Sequence, residues 1–139
     1  MKWHVITALF LAIGSISWQR PQQAFDLTTF TEIPKGMPED IGDCGSGSYY
    51  LSKQDEINSR FACVTNYDVA LIYINNMPMK FKTTKGGHGS YMLGKYTLII
   101  KDGPSKNIGD EAWTMKSVFI LKYNNTIVWT KKLIGYGGC

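Results

Sequence analysis

The chain is poor in cysteine and histidine and has no long apolar run, and each shortage removes a class of protein. Its 139 residues include three cysteines and two histidines, with no CxxC and no Cys/His spacing that suits zinc, so a zinc module is excluded. No GxSxG marks a nucleophile elbow. The run DGPSKNIGD lacks the DxDxDG spacing of a calcium loop, and no metal or cofactor is assigned. Arginine is absent from residues 79–139, which argues against nucleic acid as a partner because arginine is the usual reader of phosphates and grooves. Helix-period segments are nearly absent. With 44% apolar and 19% charged residues the composition fits one globular domain rather than a disordered chain, a coiled coil or a polytopic membrane protein.

What is present begins with residues 5–16 (VITALFLAIGSI), an apolar run of twelve after Lys2. A stable membrane span needs ~20 such residues, whereas twelve suit the core of a signal peptide. Ser15 and Ser17 fit small-residue cleavage positions and place a cut before Trp18, with a cut after Ala24 as the second choice. The expectation is an exported chain, periplasmic or extracellular, without stable membrane insertion: residues 1–17 a signal peptide, 18–43 an extended arm, and 44–139 a β-domain. No cysteine follows the apolar run at a lipidation position.

In an oxidising compartment, cysteine pairs read as staples. Cys44 lies in DCGSGS and Cys139 ends the chain after GYGG, both on glycine-rich backbone that can adapt to disulfide geometry, whereas Cys63 sits in RFACVTN and reads as a small buried hydrophobe. The expected bridge is Cys44–Cys139, closing a loop of 96 residues worth about 4 to 5 kcal/mol in the chain-entropy model. Cys63–Cys139 and Cys44–Cys63 remain alternatives.

After Cys44 the texture is strand-like. VALIYIN is β-branched and aromatic, Met79 and Phe81 alternate with Lys80 and Lys82, and KYTLIIK is a strong strand. Asn75-Asn76 reads as a turn, residues 60–66 as one strand, and residues 102–111 as a polar loop. The clearest signal spans residues 113–134, where two alternating runs flank Asn124-Asn125, a pair that tolerates the positive φ of a two-residue hairpin turn. The pattern gives seven or eight short strands, hence an all-β fold, a small antiparallel β-sandwich or barrel.

Charge is uneven along the chain. The formal +4 divides into four basic and eight acidic residues over 18–78 and ten basic and three acidic over 79–139. The lysines of the second half fit a solvated outer face with protected strand edges, or a basic surface for an acidic partner. His88, in GGHGS, is the one imidazole left after removal of the leader. The acidic pairs Glu39-Asp40, Asp55-Glu56 and Asp110-Glu111 cannot each form a two-carboxylate site, because neighbours on a strand point to opposite faces.

The runs LIYINNMPMKF, KYTLII and GDEAWTMKSVFILKYNNTIVWTKK, with the closing GYGGC, make residues 44–139 resemble small exported bacterial β-rich proteins of uncharacterised function. That resemblance implies a one-domain β fold with a disulfide-tethered tail, and no activity. By size and compartment the chain is also similar to periplasmic lysozyme inhibitors of the small-barrel type, although GGHGSYMLGKY stands where an SGxRY-like loop is required. The functional expectation is a non-enzymatic binding protein of the cell envelope, such as an inhibitor or immunity-type protein, whose partner is another envelope or secreted protein or a glycan. No catalytic residue is assigned, and binding is expected at Lys85, His88 and Lys106. The alternatives are a small hydrolase using His88 and a carboxylate, and a structural surface protein.

Overall fold

The computed structural model describes residues 25–39, 41, 47–84 and 89–138. The expected leader therefore lies outside the described residues. Ten strands follow in order: β1 (Leu27–Thr28), β2 (Gly47–Tyr50), β3 (Cys63–Thr65), β4 (Val69–Ile74), β5 (Met77–Thr83), β6 (Ser90–Leu93), β7 (Tyr96–Asp102), β8 (Lys106–Gly109), β9 (Ala112–Tyr123) and β10 (Thr126–Gly138). One short helix, α1 (Lys53–Ile57), links β2 to β3 and is capped by the Ser52 hydroxyl, which accepts from the Asp55 N–H at 3.1 Å.

Eight of the strands, β2 to β7 with β9 and β10, form an antiparallel sheet in chain order. It closes on itself through β2–β10, so the fold is an up-and-down barrel rather than a sandwich. The two remaining strands add to strands of the barrel: β1 to the end of β4, β8 to the start of β9. Two hairpins turn on asparagine pairs, Asn75-Asn76 with φ of 50° and 64° and Asn124-Asn125 with φ of 52° and 66°, the left-handed values that a two-residue turn demands.

Three segments differ from the sequence reading. Gly135 to Gly138 continue β10 instead of forming a loose tail, because they pair residue by residue with Met115 to Ala112. Within the polar loop 102–111, Asp102 ends β7 and Lys106–Gly109 form β8, folded back on β9. The strand expected over 60–66 is confined to Cys63–Thr65, and Phe61 instead pairs with Phe30 through two backbone hydrogen bonds of 2.8 and 2.9 Å.

Strand alternation sends one side of the sheet into the barrel. Cys63, Ala70, Ile72, Phe81, Leu98, Phe119, Leu121 and Leu133 fill its interior. Alternate residues of β3 and β4, Val64, Val69 and Leu71, are buried outside the barrel beneath Phe30 and Ile41. This second layer explains why VALIYI is apolar on both faces. Phe30 stacks on Tyr73 with ring centroids 4.6 Å apart. The same segment closes one end of the barrel. Leu27 joins the interior core, Phe25 lies against Tyr96 and Tyr123, and the Phe25 carbonyl accepts the Trp129 indole N–H at 2.7 Å.

Truncating Phe30 to alanine removes a buried ring at this outer layer and is expected to cost ~3 to 5 kcal/mol, read as a lowered urea midpoint. An unchanged midpoint would show that residues around Phe30 do not belong to the cooperative unit.

Candidate binding site at the open end of the barrel

Among the described residues, nothing seals the end opposite Phe25, where a cavity lies. There the inner face changes from apolar to polar, and the pairing register shows the change step by step: Leu98 faces Leu121, Ile100 faces Phe119, and Asp102 faces Ser117. Beyond this level lies a cavity of about 300 Å³, lined among others by Tyr49, Thr65, Tyr67, Tyr91, Asp102, Trp113 and Met115.

Asp102 is the centre of the polar layer. Its carboxylate accepts a hydrogen bond from the Ser117 hydroxyl at 2.6 Å, and the Tyr49 hydroxyl donates to both oxygens, at 3.1 and 3.4 Å. Ser117 and Tyr49 are buried while Asp102 is exposed to the cavity. Below the layer, Tyr49 meets Phe119 edge to face with centroids 4.8 Å apart, which couples the site to the core.

The aromatic walls depend on two inner-face glycines. Tyr49 faces Gly135, and Trp113 faces Gly137. A Cβ on Gly135 would sit 2.9 Å from the Tyr49 ring and 3.1 Å from the Ser117 hydroxyl, and one on Gly137 would sit 2.6 Å from the Trp113 indole nitrogen. These are closer than side chains pack, so each glycine makes room for a ring. The GYGG run is thus a packing motif, with Tyr136 on the outer face between the two glycines.

Burial sets the protonation of the mouth. The Tyr49 hydroxyl is pushed far above the ordinary tyrosine range by burial and then by the Asp102 charge. Tyr91 is pushed up to about 12, again mainly by burial. Both stay protonated near neutrality, and Tyr49 donates to Asp102. Cys63, fully buried, is a free thiol whose pKa is raised by burial and by Asp102, so it is poorly suited to nucleophilic work. That state agrees with its reading as a small hydrophobe and goes against the two alternative pairings that used it.

Lys85, His88, Cys44 and Cys139 all lie outside the described residues. The residues flanking the first two, Thr84 and Gly89, are at the open end, and Gly89 lines the cavity. Lys106 is elsewhere. It is exposed on β8, opposite Thr114, and borders a separate outer groove with Lys53, Lys116, Ile134 and Tyr136. Tyr49, Asp102 and Ser117 escaped the sequence reading. Their signal was the period of two: residues 98, 100 and 102 share a face, as do 117, 119 and 121. Among the described residues, no group of three or more His, Cys, Asp or Glu could hold a metal ion, and no helix is long and apolar enough to cross a membrane.

The tyrosines give a testable pH dependence. A folded-state pKa raised above the unfolded value of about 10 means that the native state holds its protons longer, so stability is complete below pH ~10 and falls as pH rises toward about 12. Urea midpoints measured between pH 9 and 12 are expected to decline, less steeply in Tyr91→Phe; a flat profile contradicts the assignment. Compared with known proteins, the chain matches no family model, no curated protein and no solved structure.

Proposed function

We propose that the protein is an exported, non-enzymatic binding protein of the cell envelope that takes its ligand at the open mouth of the barrel. The observation that carries this reading is the asymmetry of the two ends among the described residues: one is covered by Phe25 and its aromatic neighbours, the other holds a cavity lined by both polar and aromatic side chains. An eight-stranded barrel is wide enough inside to be filled by side chains or to hold one small ligand. Here the core fills most of the interior and leaves space at one mouth. The volume is at the low end of the ~300 to 1,000 Å³ of small-molecule pockets. Binding is favoured over turnover because burial raises the pKa of both Tyr49 and Tyr91, and Tyr49 already donates to Asp102, so neither is set up as a base. The envelope setting rests on the amino-terminal apolar run and on the resemblance to small exported β-rich proteins. A larger partner, protein or glycan, would meet the same end through the segment that carries Lys85 and His88.

The reading includes a Cys44–Cys139 bridge. Gly47 pairs with Gly137 at this end of the sheet. Cys44 is three residues before the first and Cys139 two after the second. A few extended residues span ~3.3 Å each, and this short sequence distance to a paired position supports the bridge. Mapping of unreduced peptides is expected to return Cys44 linked to Cys139, with the Cys63 thiol reacting only after denaturation. Recovery of a Cys63-linked peptide would overturn the pairing.

Ligand binding is expected to perturb the NMR signals of Tyr91, Trp113 and Met115 and to raise the melting midpoint, by an amount equivalent to ~2.7 kcal/mol at a hundredfold excess over Kd. Perturbations confined to Lys106 and Lys116 would move the site to the outer groove and refute the mouth assignment.

A further inference from the structure

We propose that the barrel mouth selects a small organic monocation, an arylalkyl- or alkylammonium, with Asp102 as its counter-ion and Trp113, Tyr67 and Tyr91 as its aromatic walls. The inference rests on the mouth being the binding site and adds the chemical class of the ligand. Asp102 is the one charged side chain among the described residues that line the cavity, and it has no ion pair among them. The chain as a whole is basic, with ten lysines in its second half. Among the described lining residues, a carboxylate without a cationic neighbour is therefore a local departure from the net charge.

Holding two hydroxyls does not exhaust the carboxylate. It offers about four acceptor positions, whereas Ser117 uses Oδ1 and Tyr49 shares its proton between the oxygens, reaching Oδ2 only at 3.4 Å. Acceptor capacity remains toward the cavity. An ammonium N–H can take it in a charge-assisted bond, and the faces of Trp and Tyr attract the rest of the cation. Among the described residues no lysine lines the cavity, and the field of more distant charges is screened over ~8 Å at physiological salt, so it does not cancel a contact made inside the mouth.

Other ligand classes fit less well. An anion meets the carboxylate directly. A divalent metal needs further oxygen or nitrogen ligands that the described lining lacks. A neutral sugar needs several fanned hydrogen-bonding side chains, but the Thr65 hydroxyl is engaged with the Gly47 N–H at 3.0 Å and the Asn66 Oδ1 accepts from the Asp68 and Val69 N–H groups at 2.9 and 2.7 Å.

The test is calorimetric titration of the full chain with four probes: phenethylammonium, its neutral counterpart 2-phenylethanol, the anion phenylacetate, and methyl glucoside. Saturable binding of phenethylammonium is expected, at least ~10-fold tighter than the alcohol, with no binding of the anion. Asp102→Asn should remove most of that preference. Equal affinity for the ammonium and the alcohol, or an unaltered preference in Asp102→Asn, overturns the cation assignment and leaves the mouth as a binding site. Binding of the anion or the glucoside alone does the same. Failure of all four probes to bind at millimolar concentration counts against the mouth itself. The comparison among probes uses the unaltered protein, so it decides the matter even if a variant folds poorly.

Discussion

Everything in this molecule depends on the ladder between β2 and β10. Four residue pairs, from Ile134↔Tyr50 to Gly137↔Gly47, convert a meander with two open edges into a closed wall. An open sheet of this composition would expose a row of unpaired backbone groups and a one-sided apolar face, both hazards for association. Closure removes them and creates an inside. The ladder is short, and its glycines are part of the reason that it can form. At Gly135 and Gly137 the inner face yields space to Tyr49 and Trp113, which would otherwise compete with the wall for the same volume.

The inside is then divided by depth. Phe81, Phe119, Leu98 and Leu121 have no exposure to solvent and hold the strands together by apolar burial. One residue pair nearer the mouth, Ser117 and Asp102 replace them. A carboxylate is tolerated there because two hydroxyls reach it and because its open side faces water. Burial and the Asp102 charge together raise the Tyr49 pKa and keep its hydroxyl a donor, and Phe119 buttresses its ring. The polar layer is thus anchored on the apolar one.

Much of this was readable in the residues. Alternation located the strands, asparagine pairs located two turns, and the apolar setting of Cys63 placed it inside. The choice between sandwich and barrel was not readable, because it depends on which distant strands meet. Glycine misled at residues 135–138: it is common in turns, and only the facing Trp113 and Tyr49 show why a strand needs it. Asp102 was hidden for a related reason. A charged residue followed by Gly103 and Pro104 reads as the start of a loop, although its place two residues beyond Ile100 sets it on the inner face. The apolar residues before Cys44 gave no sign of whether they cap an end or cover a side, since both uses need the same side chains.

The hydrogen bond from Trp129 to the Phe25 carbonyl joins residues 104 positions apart, and β2 waits in the same way for β10. Phe25 and one edge of β2 therefore gain these partners only once β10 has been made. Contacts so distant in sequence are slow to form, and a nascent chain lacking β10 has neither a closed wall nor a completed seal. The hairpins from β2 to β7 pair between chain neighbours, so the docking of β10 is the step that turns a preformed meander into a barrel.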